Sequence, residues 1–437
     1  MAKLFIVDLH ADPFLWNRDI REFSRRGHVD IPRLLDGGVD LQVFSVPSST
    51  PIGKQSFAAP KRPNDSRFVD PRREYLDFGG LKCTRKPPDN WDGTGALFTL
   101  TRRESDTKRI AFAQARDFCI ASGGRPRMDP GDRHLFNRCD YDEGIKPSSA
   151  RPETGKPVLF PVRTQEDLEI LKAYNSDRDL EERAVGGMLS IEGVHWVHDE
   201  SQVVSEVTAL KNAGFRLIGL THKFTNDLGG SDEACNVPPG LTPLGVKFAK
   251  EVLRQGMMLD VAHLSAKGVL DDDDGPETIL EVLQSDTGSD RKLPAVMSHG
   301  GVRLPYCSNY RNLPDTHVKA LLERGVPFGV IHWDSVYCVG GMPRETVVKR
   351  ILDAYEHAID LGGWETATAA LAIGGDLDGA VKAPFDVRGY PYLLTRLRDS
   401  DWCQAKGPAA CDKAVQRIAG ENVYETLLRS LPSRESE

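Results

Sequence analysis

His10 and Asp12 stand two residues apart where the apolar run in "IVDLHADPFLW" ends. In a strand, residues two apart face the same side, so an imidazole and a carboxylate there can reach one point just past the strand end. A lone H-x-D of this kind is usually a surface pair closing a strand. Here the pattern recurs. "VGGMLSIEG" ends at Glu192, "FRLIGLTH" at His222, "GMMLDVAH" at His263, "LPAVMSH" at His299 and "ALAIGGDLDG" at Asp376, while "VPFGVIHW" (326–333) ends near His332. A cap or a loop hydrogen bond explains any one of these residues. Their recurrence at the ends of at least six of eight candidate strands points instead to a shared site. Imidazoles with carboxylates form a donor set suited to zinc or a similar divalent metal.

The elements that must carry these residues are short strands alternating with helices. The remaining run, "VDLQVFSV" (39–46), alternates with period two. It follows "DIPRLLDGG", a short helix capped by Asp30, with an early Pro32 and a stop at Gly37 and Gly38. Further helical patterns are "DESQVVSEVTALKNAG", "TPLGVKFAKEVLRQG", "DTHVKALLERG" and "RETVVKRILDAYEHAIDLGG", each ending in glycine. Strand–helix alternation repeated eight times predicts an α/β fold, a (β/α)8 TIM-type barrel, whose active site lies at the C-terminal strand ends. The segment 47–185 departs from the alternation and is rich in Pro, Gly, Arg and Asp. It carries helical patterns at "ESDTKRIAFAQARDFCIASGG" and "TQEDLEILKAYNS" but too few periodic apolar residues for a core of its own. It reads as a long insertion after strand two, within a single domain over 1–437.

The chain has 437 residues, a net charge of −8 and 40% hydrophobic residues. The acidic balance argues against nucleic acid or an anionic membrane as partner. No apolar stretch is long enough for a membrane span. The N-terminus enters a strand directly, without the apolar core of a signal peptide, and a cytoplasmic location is expected. The eight cysteines, Cys83, Cys119, Cys139, Cys235, Cys307, Cys338, Cys403 and Cys411, form no C-x-x-C pair and read mostly as small buried hydrophobes.

Several motifs in one order resemble the membrane (renal) dipeptidase family of the metal-dependent amidohydrolase superfamily. They are D-L-H-A-D, "GHVDIPRL", "IEGVH", "LTHKFTND", "LDVAHLS", "MSHGG" followed by "RNLPD", and "GGDLDG", spanning residue 8 to about 379. "IAGENVYETL" (418–427) resembles the C-terminal element of that family. The resemblance implies a pair of divalent ions, expected to be Zn2+. His10 and Asp12 would hold the first, His263 and His299 the second, and Glu192 would bridge them. It implies that His222 lies close to substrate and polarises the scissile carbonyl, that Arg311 faces the substrate carboxylate, and that Asp376 carries the proton. The implied activity is dipeptide hydrolysis by a metal-generated hydroxide, with a D-residue tolerated at the C-terminal position. The expected partners are a small dipeptide substrate and a second copy of the chain as a homodimer.

This sequence departs from the family at three places. Val194 stands where relatives often have Gly, which leaves His195 between a role behind the metal ligands and plain packing. Strand seven reads "VIHWDSVYC" where an Asn–aromatic sequence is common, and His332 is expected as a core or supporting histidine. The 47–185 excursion is unusually rich in Pro and Arg. These differences keep open a second enzymatic reading, an N-acyl-amino-acid or D-amino-acid-amide hydrolase or a natural-product tailoring enzyme. A non-catalytic metal-binding scaffold is disfavoured by the intact ligand set. His28, His134, His198, His317 and His357 are expected at the surface or satisfied in the core, and Asp378 in a structural role. Secreted relatives can join cysteines near Cys307 and Cys338; free thiols are expected here from the cytoplasmic reading.

Overall fold

The apolar runs fold as strands buried on both faces. The computed structural model describes residues 3–16, 18–48, 104–132, 135–142, 145–150, 155–232, 240–271, 277–287, 293–307, 309, 311–379 and 381–436. Eight strands form the barrel: β1 (Ile6–Ala11), β2 (Val39–Phe44), β3 (Gly186–Glu192), β4 (Phe215–Gly219), β5 (Met258–Asp260), β6 (Ala295–Val302), β7 (Phe328–Val330) and β8 (Leu371–Ile373). Each pairs in parallel with the next. Asp8 of β1 lies opposite Ile373 of β8, which closes the sheet. A parallel sheet covered on both faces demands near-continuous apolar strands, which is why the runs were so plain in the sequence. The fold is the expected (β/α)8 barrel.

Helices follow the strands. They include α1 (Ile31–Asp36), α2 (Glu104–Ala121), α3 (Gln165–Ser176), α4 (Glu200–Asn212), α5 (Pro243–Arg254), α6 (Ile279–Thr287), α7 (Asp315–Glu323) and α8 (Arg344–Gly362). Their starts are set by local chemistry. Asp30 accepts the Arg33 N–H at 3.0 Å, and Asp199 and Thr164 each build a capping box with the residue three positions on. Helix α6 was not read from the sequence.

Two layers of core result. One cluster takes Leu9, Leu41, Val43, Met188, Leu217, Met258, Val296 and Ala372 from seven of the strands, with Val423 and Leu427 from the C-terminal helix α9 (Asn422–Ser430). Asn422 donates to the carbonyls of Thr368 and Leu371, so α9 sits across the N-terminal end of β8. A larger cluster fills the space between strands and helices. With the N-terminal end covered, the C-terminal strand ends are left to carry chemistry.

The part of the 47–185 excursion from 49 to 103 lies outside the described residues. Its helix α2 packs Phe118 against Phe14 and Phe44, ring centroids 6.0 and 5.8 Å apart. A hairpin of Arg125–Met128 with Phe136–Asp140 follows. The cysteines correct the sequence reading. Cys119 is bridged to Cys139, Cys307 to Cys338 and Cys403 to Cys411. The thiols expected to be free at 307 and 338 are a disulfide, because the turns after β6 and β7 bring their Cα atoms to 5.7 Å, inside the reach of a bridge.

Candidate metal centre and substrate rim

The end of β1 is bent to present two side chains. Asp8, fully buried, accepts the His10 N–H at 3.2 Å and the Gly375 N–H at 2.8 Å on Oδ1, and the Tyr390 hydroxyl at 2.6 Å on Oδ2. This fixes the chain just before His10 and ties it to the turn after β8. His10 Nε2 then lies 3.5 Å from Asp12 Oδ1, 3.4 Å from Glu192 Oε1 and 3.9 Å from Asp376 Oδ1. On the other side, Glu192 Oε1 is 3.2 Å from His263 Nε2 and 3.4 Å from His299 Nε2. Glu192 Oε2 faces His222 Nε2 at 3.5 Å. Three imidazoles from β1 and the ends of β5 and β6 therefore converge on one carboxylate oxygen from β3.

Two of these residues are held in unusual backbone. His263 and Asp376 have φ of 60° and 52°, the left-handed region. For a residue with a Cβ this costs about 1–3 kcal/mol and persists where the surroundings enforce it, most often at functional sites. Gly379 leaves room for the Asp376 carboxylate, since a Cβ there would collide with it.

The donor set suits a pair of cations. His10, Asp12 and Glu192 form one cluster of possible ligands; Glu192, His263 and His299 form a second, all buried. His10 Nε2, Asp12 Oδ1 and Glu192 Oε1 are buried without a hydrogen-bond partner. Buried polar atoms are almost always paired, so three orphans facing one another mark a place for an ion. The charge balance agrees. Burial alone would lower His10, but Glu192, Asp12 and Asp376 overcome it and push it up to about 10. Burial drives Glu192 well above the usual carboxylate range, His10 opposes this, and Asp12, Asp376 and Asp260 add to it. Burial also raises Asp376, to about 7, with His10, Arg311 and Lys223 pulling down. Burial holds His222, His263 and His299 well below the normal histidine value, in the neutral form that can ligate.

The rim holds a residue that sequence reasoning missed. Arg311 is buried, with one guanidinium nitrogen donating to Asp232 at 2.5 Å and the other to the His299 carbonyl at 3.2 Å. Asp232 Oδ1 also lies 3.4 Å from His263 Nδ1, and an Arg311 nitrogen is 3.0 Å from the same atom. Asp232 therefore stands behind His263 both directly and through the guanidinium it holds. Asp232 sits in an irregular loop after β4, and no spacing in the sequence marks it.

The other expectations fall as follows. His195 is buried, its Nδ1 3.4 Å from Asn226 Nδ2, and burial lowers it to about 3. His332 is fully buried against Phe385 and Tyr390 and is lowered by burial to about 3. Asp378 is structural: it pairs with Arg18 and accepts the N–H groups of His28 and Val29 at 2.6 and 3.0 Å, joining "GHVD" to the β8 turn. His198, His317 and His357 bond Asp227, the carbonyls of Ala266 and Leu270, and Asp315. His134 lies outside the described residues.

A closed (β/α)8 barrel carrying buried histidines and carboxylates at its C-terminal strand ends fits a metal-dependent hydrolase. The family model described as membrane dipeptidase (peptidase family M19) matches residues 161–427, and the chain belongs to that family. It is a metal-dependent dipeptidase. Solved structures share the fold. A dipeptidase described as a metallopeptidase of family M19 superposes with a TM-score of 0.62 at 19% identity, covering 99% of this chain and 100% of that one. A metallopeptidase from Rhodobacter sphaeroides, liganded with a phosphinate mimic of the dipeptide L-Ala-D-Ala, gives 0.62 at 20% identity, covering 98% and 99%. The probable dipeptidase PvdM from Pseudomonas aeruginosa gives 0.57 at 12% identity, covering 100% and 96%.

Proposed function

We propose that the protein is a binuclear zinc dipeptidase. The first ion would be held by His10, Asp12 and Glu192, and the second by Glu192, His263 and His299. The observation that carries this reading is Glu192 Oε1, orphaned and faced by three imidazole Nε2 atoms at 3.2–3.4 Å. When bound, such a pair supplies a nucleophile from water at neutral pH and polarises the scissile carbonyl.

The protein's own groups do the rest. His222, neutral and buried, donates from Nε2 to the oxygen that gains charge as the carbonyl is attacked. Asp376, raised to about 7, takes the proton of the attacking water and passes it to the departing amine. Arg311 supplies positive charge for the substrate's terminal carboxylate, an interaction that must compete with Asp232. The neighbour bound to an L-Ala-D-Ala mimic supports testing a D-residue at the second position. The alternative of an N-acyl-amino-acid or D-amide hydrolase rested on the altered strand seven and the long 47–185 excursion; His332 of that strand is fully buried, and 49–103 of the excursion lies outside the described residues.

No helix among the described residues is long and apolar enough to cross a membrane. The three disulfides favour a compartment that oxidises thiols over the expected cytoplasm. The deciding experiment combines metal content with rates on L,L-dipeptides, L,D-dipeptides and N-acyl amino acids. Two zinc ions per chain and preference for free dipeptides are expected. One ion at saturation, or faster turnover of N-acyl amino acids, overturns the reading.

A further inference from the structure

Ser298 stands one residue before His299 in β6 and is fully buried. Its Oγ lies 2.8 Å from Nδ1 of His299 and 3.3 Å from Nδ1 of His10. The two rings lie side by side, centroids 3.8 Å apart. His10 groups with Asp12 and Glu192, His299 with Glu192 and His263, and the two share a third cluster of possible ligands with Asp376; both turn Nε2 toward Glu192. Each must carry its proton on Nδ1 if Nε2 is to offer a lone pair to a cation. A hydroxyl has two lone pairs and one proton. Accepting from both Nδ1–H groups uses both lone pairs and leaves the O–H to donate. Asp260 neighbours this hydroxyl: burial raises its carboxyl, and the Ser298 side chain is foremost among the groups pulling it down. Asp260 is itself fixed by the backbone N–H groups of Ser298 and Ala262, both at 3.0 Å.

We propose that Ser298 is a positioning residue shared by both halves of the metal centre, its hydroxyl setting the tautomer and aim of His10 and His299 at once. The inference rests on the two-metal reading and goes beyond it. Ser298 touches neither substrate nor ion; it makes one buried side chain answerable for two sites. Asp232 is the natural contrast, since the histidine it approaches, His263, falls in a single cluster of possible ligands.

The test measures zinc stoichiometry and affinity by chelator competition in wild type, Ser298→Ala, Ser298→Thr and Asp232→Asn. Loss of a group behind a metal-bound histidine typically weakens binding about 10–100-fold. Ser298→Ala should weaken both ions by that factor, Asp232→Asn only one, and Ser298→Thr should restore both. A second readout is 1H–15N NMR of the imidazoles in the zinc-loaded wild type, which needs no variant to fold. His10 and His299 should each show an Nδ1-bound, hydrogen-bonded proton. A folded Ser298→Ala that loses one ion or neither overturns the proposal, as does Nε2 protonation of either ring. Wild type that binds fewer than two ions overturns the reading beneath it, and that failure is seen without any variant.

Discussion

The Nε2 atoms of His263 and His299 stand 3.1 Å apart, and both lie within 3.4 Å of Glu192 Oε1. Neither ring is placed to donate to the other if both are neutral and protonated on Nδ1. Glu192→Gln keeps the shape but removes the charge that both proposed ions share. Zinc content measured after dialysis should fall from two per chain to one or none. Retention of two ions at wild-type affinity would remove Glu192 from the bridge.

Asp376 should separate proton transfer from metal binding. Asp376→Asn is expected to reduce kcat by roughly 10²–10⁴, the usual contribution of a positioned acid or base, with zinc content unchanged. A variant that loses zinc would make Asp376 a ligand, since its Oδ1 lies 3.9 Å from His10 Nε2 and it shares a possible ligand cluster with His10 and His299.

Arg311 carries two duties that can be told apart. If it binds the substrate carboxylate, Arg311→Lys should raise KM for a dipeptide, and the difference from wild type should vanish for the same dipeptide supplied as its C-terminal amide. An equal loss on both substrates would leave Arg311 with its other duty alone, bracing Asp232 and the His299 carbonyl.

Asp40 gives a pH prediction far from the metal residues. Burial raises its carboxyl to about 6, against the pull of Arg183, the Ile6 N–H and Asn175. Its folded pKa lies above the ordinary carboxylate value near 3.8, so the native state binds the proton more tightly. The stability this contributes is fully present below about pH 4 and lost as pH rises through 6. At about 1.4 kcal/mol per unit, the loss is on the order of 3 kcal/mol. Urea unfolding of wild type and Asp40→Asn between pH 4 and 7 should show that slope only in wild type. Parallel curves would mean that Asp40 is ionised throughout.

The disulfides predict a thiol count. Protein purified without reductant and unfolded in denaturant should titrate at most two thiols per chain, those of Cys83 and Cys235. Reduction should loosen the tie between the turns after β6 and β7 that Cys307–Cys338 makes beside Arg311. Six or more reactive thiols before reduction would refute the pairing.

What was legible in the sequence follows from where each signal resides. Proposed strand-end ligands such as Glu192 and His263 announce themselves, because an ionisable residue closing an apolar run is rare and its direction is fixed by the strand. Capping residues such as Asp30 and Asp199 are equally local. Asp232 was hidden because its meeting with His263 depends on the path of an irregular loop. Ser298 was hidden because a small hydroxyl in a buried strand looks like packing until the ring behind it is placed. The cysteine pairs were hidden because connectivity depends on which turns become neighbours, which spacing does not encode. The expectation of free thiols at 307 and 338 failed for that reason, having been argued from compartment and not from geometry.

The β1–β8 seam joins two distant parts of the chain, with the proposed ligands His10 and Asp12 at the end of β1 and the proposed proton carrier Asp376 just past β8. His10 and Asp12 come before residue 13, and Asp8, which steadies them, is held by Gly375 and Tyr390 from beyond residue 370. The cluster of Glu192, His263 and His299 lies within one stretch of the chain, but both clusters that include His10 need β1 brought beside distant strands. Such long-range closure comes late in folding, when the entropy of ordering the intervening chain has already been lost. The proposed pair of ions would therefore be complete only in chains that have brought β1 into the circle. An ion captured at that moment stabilises the closed barrel over every partly wound form, so the cofactor would act as a latch on folding before it ever acts on a peptide.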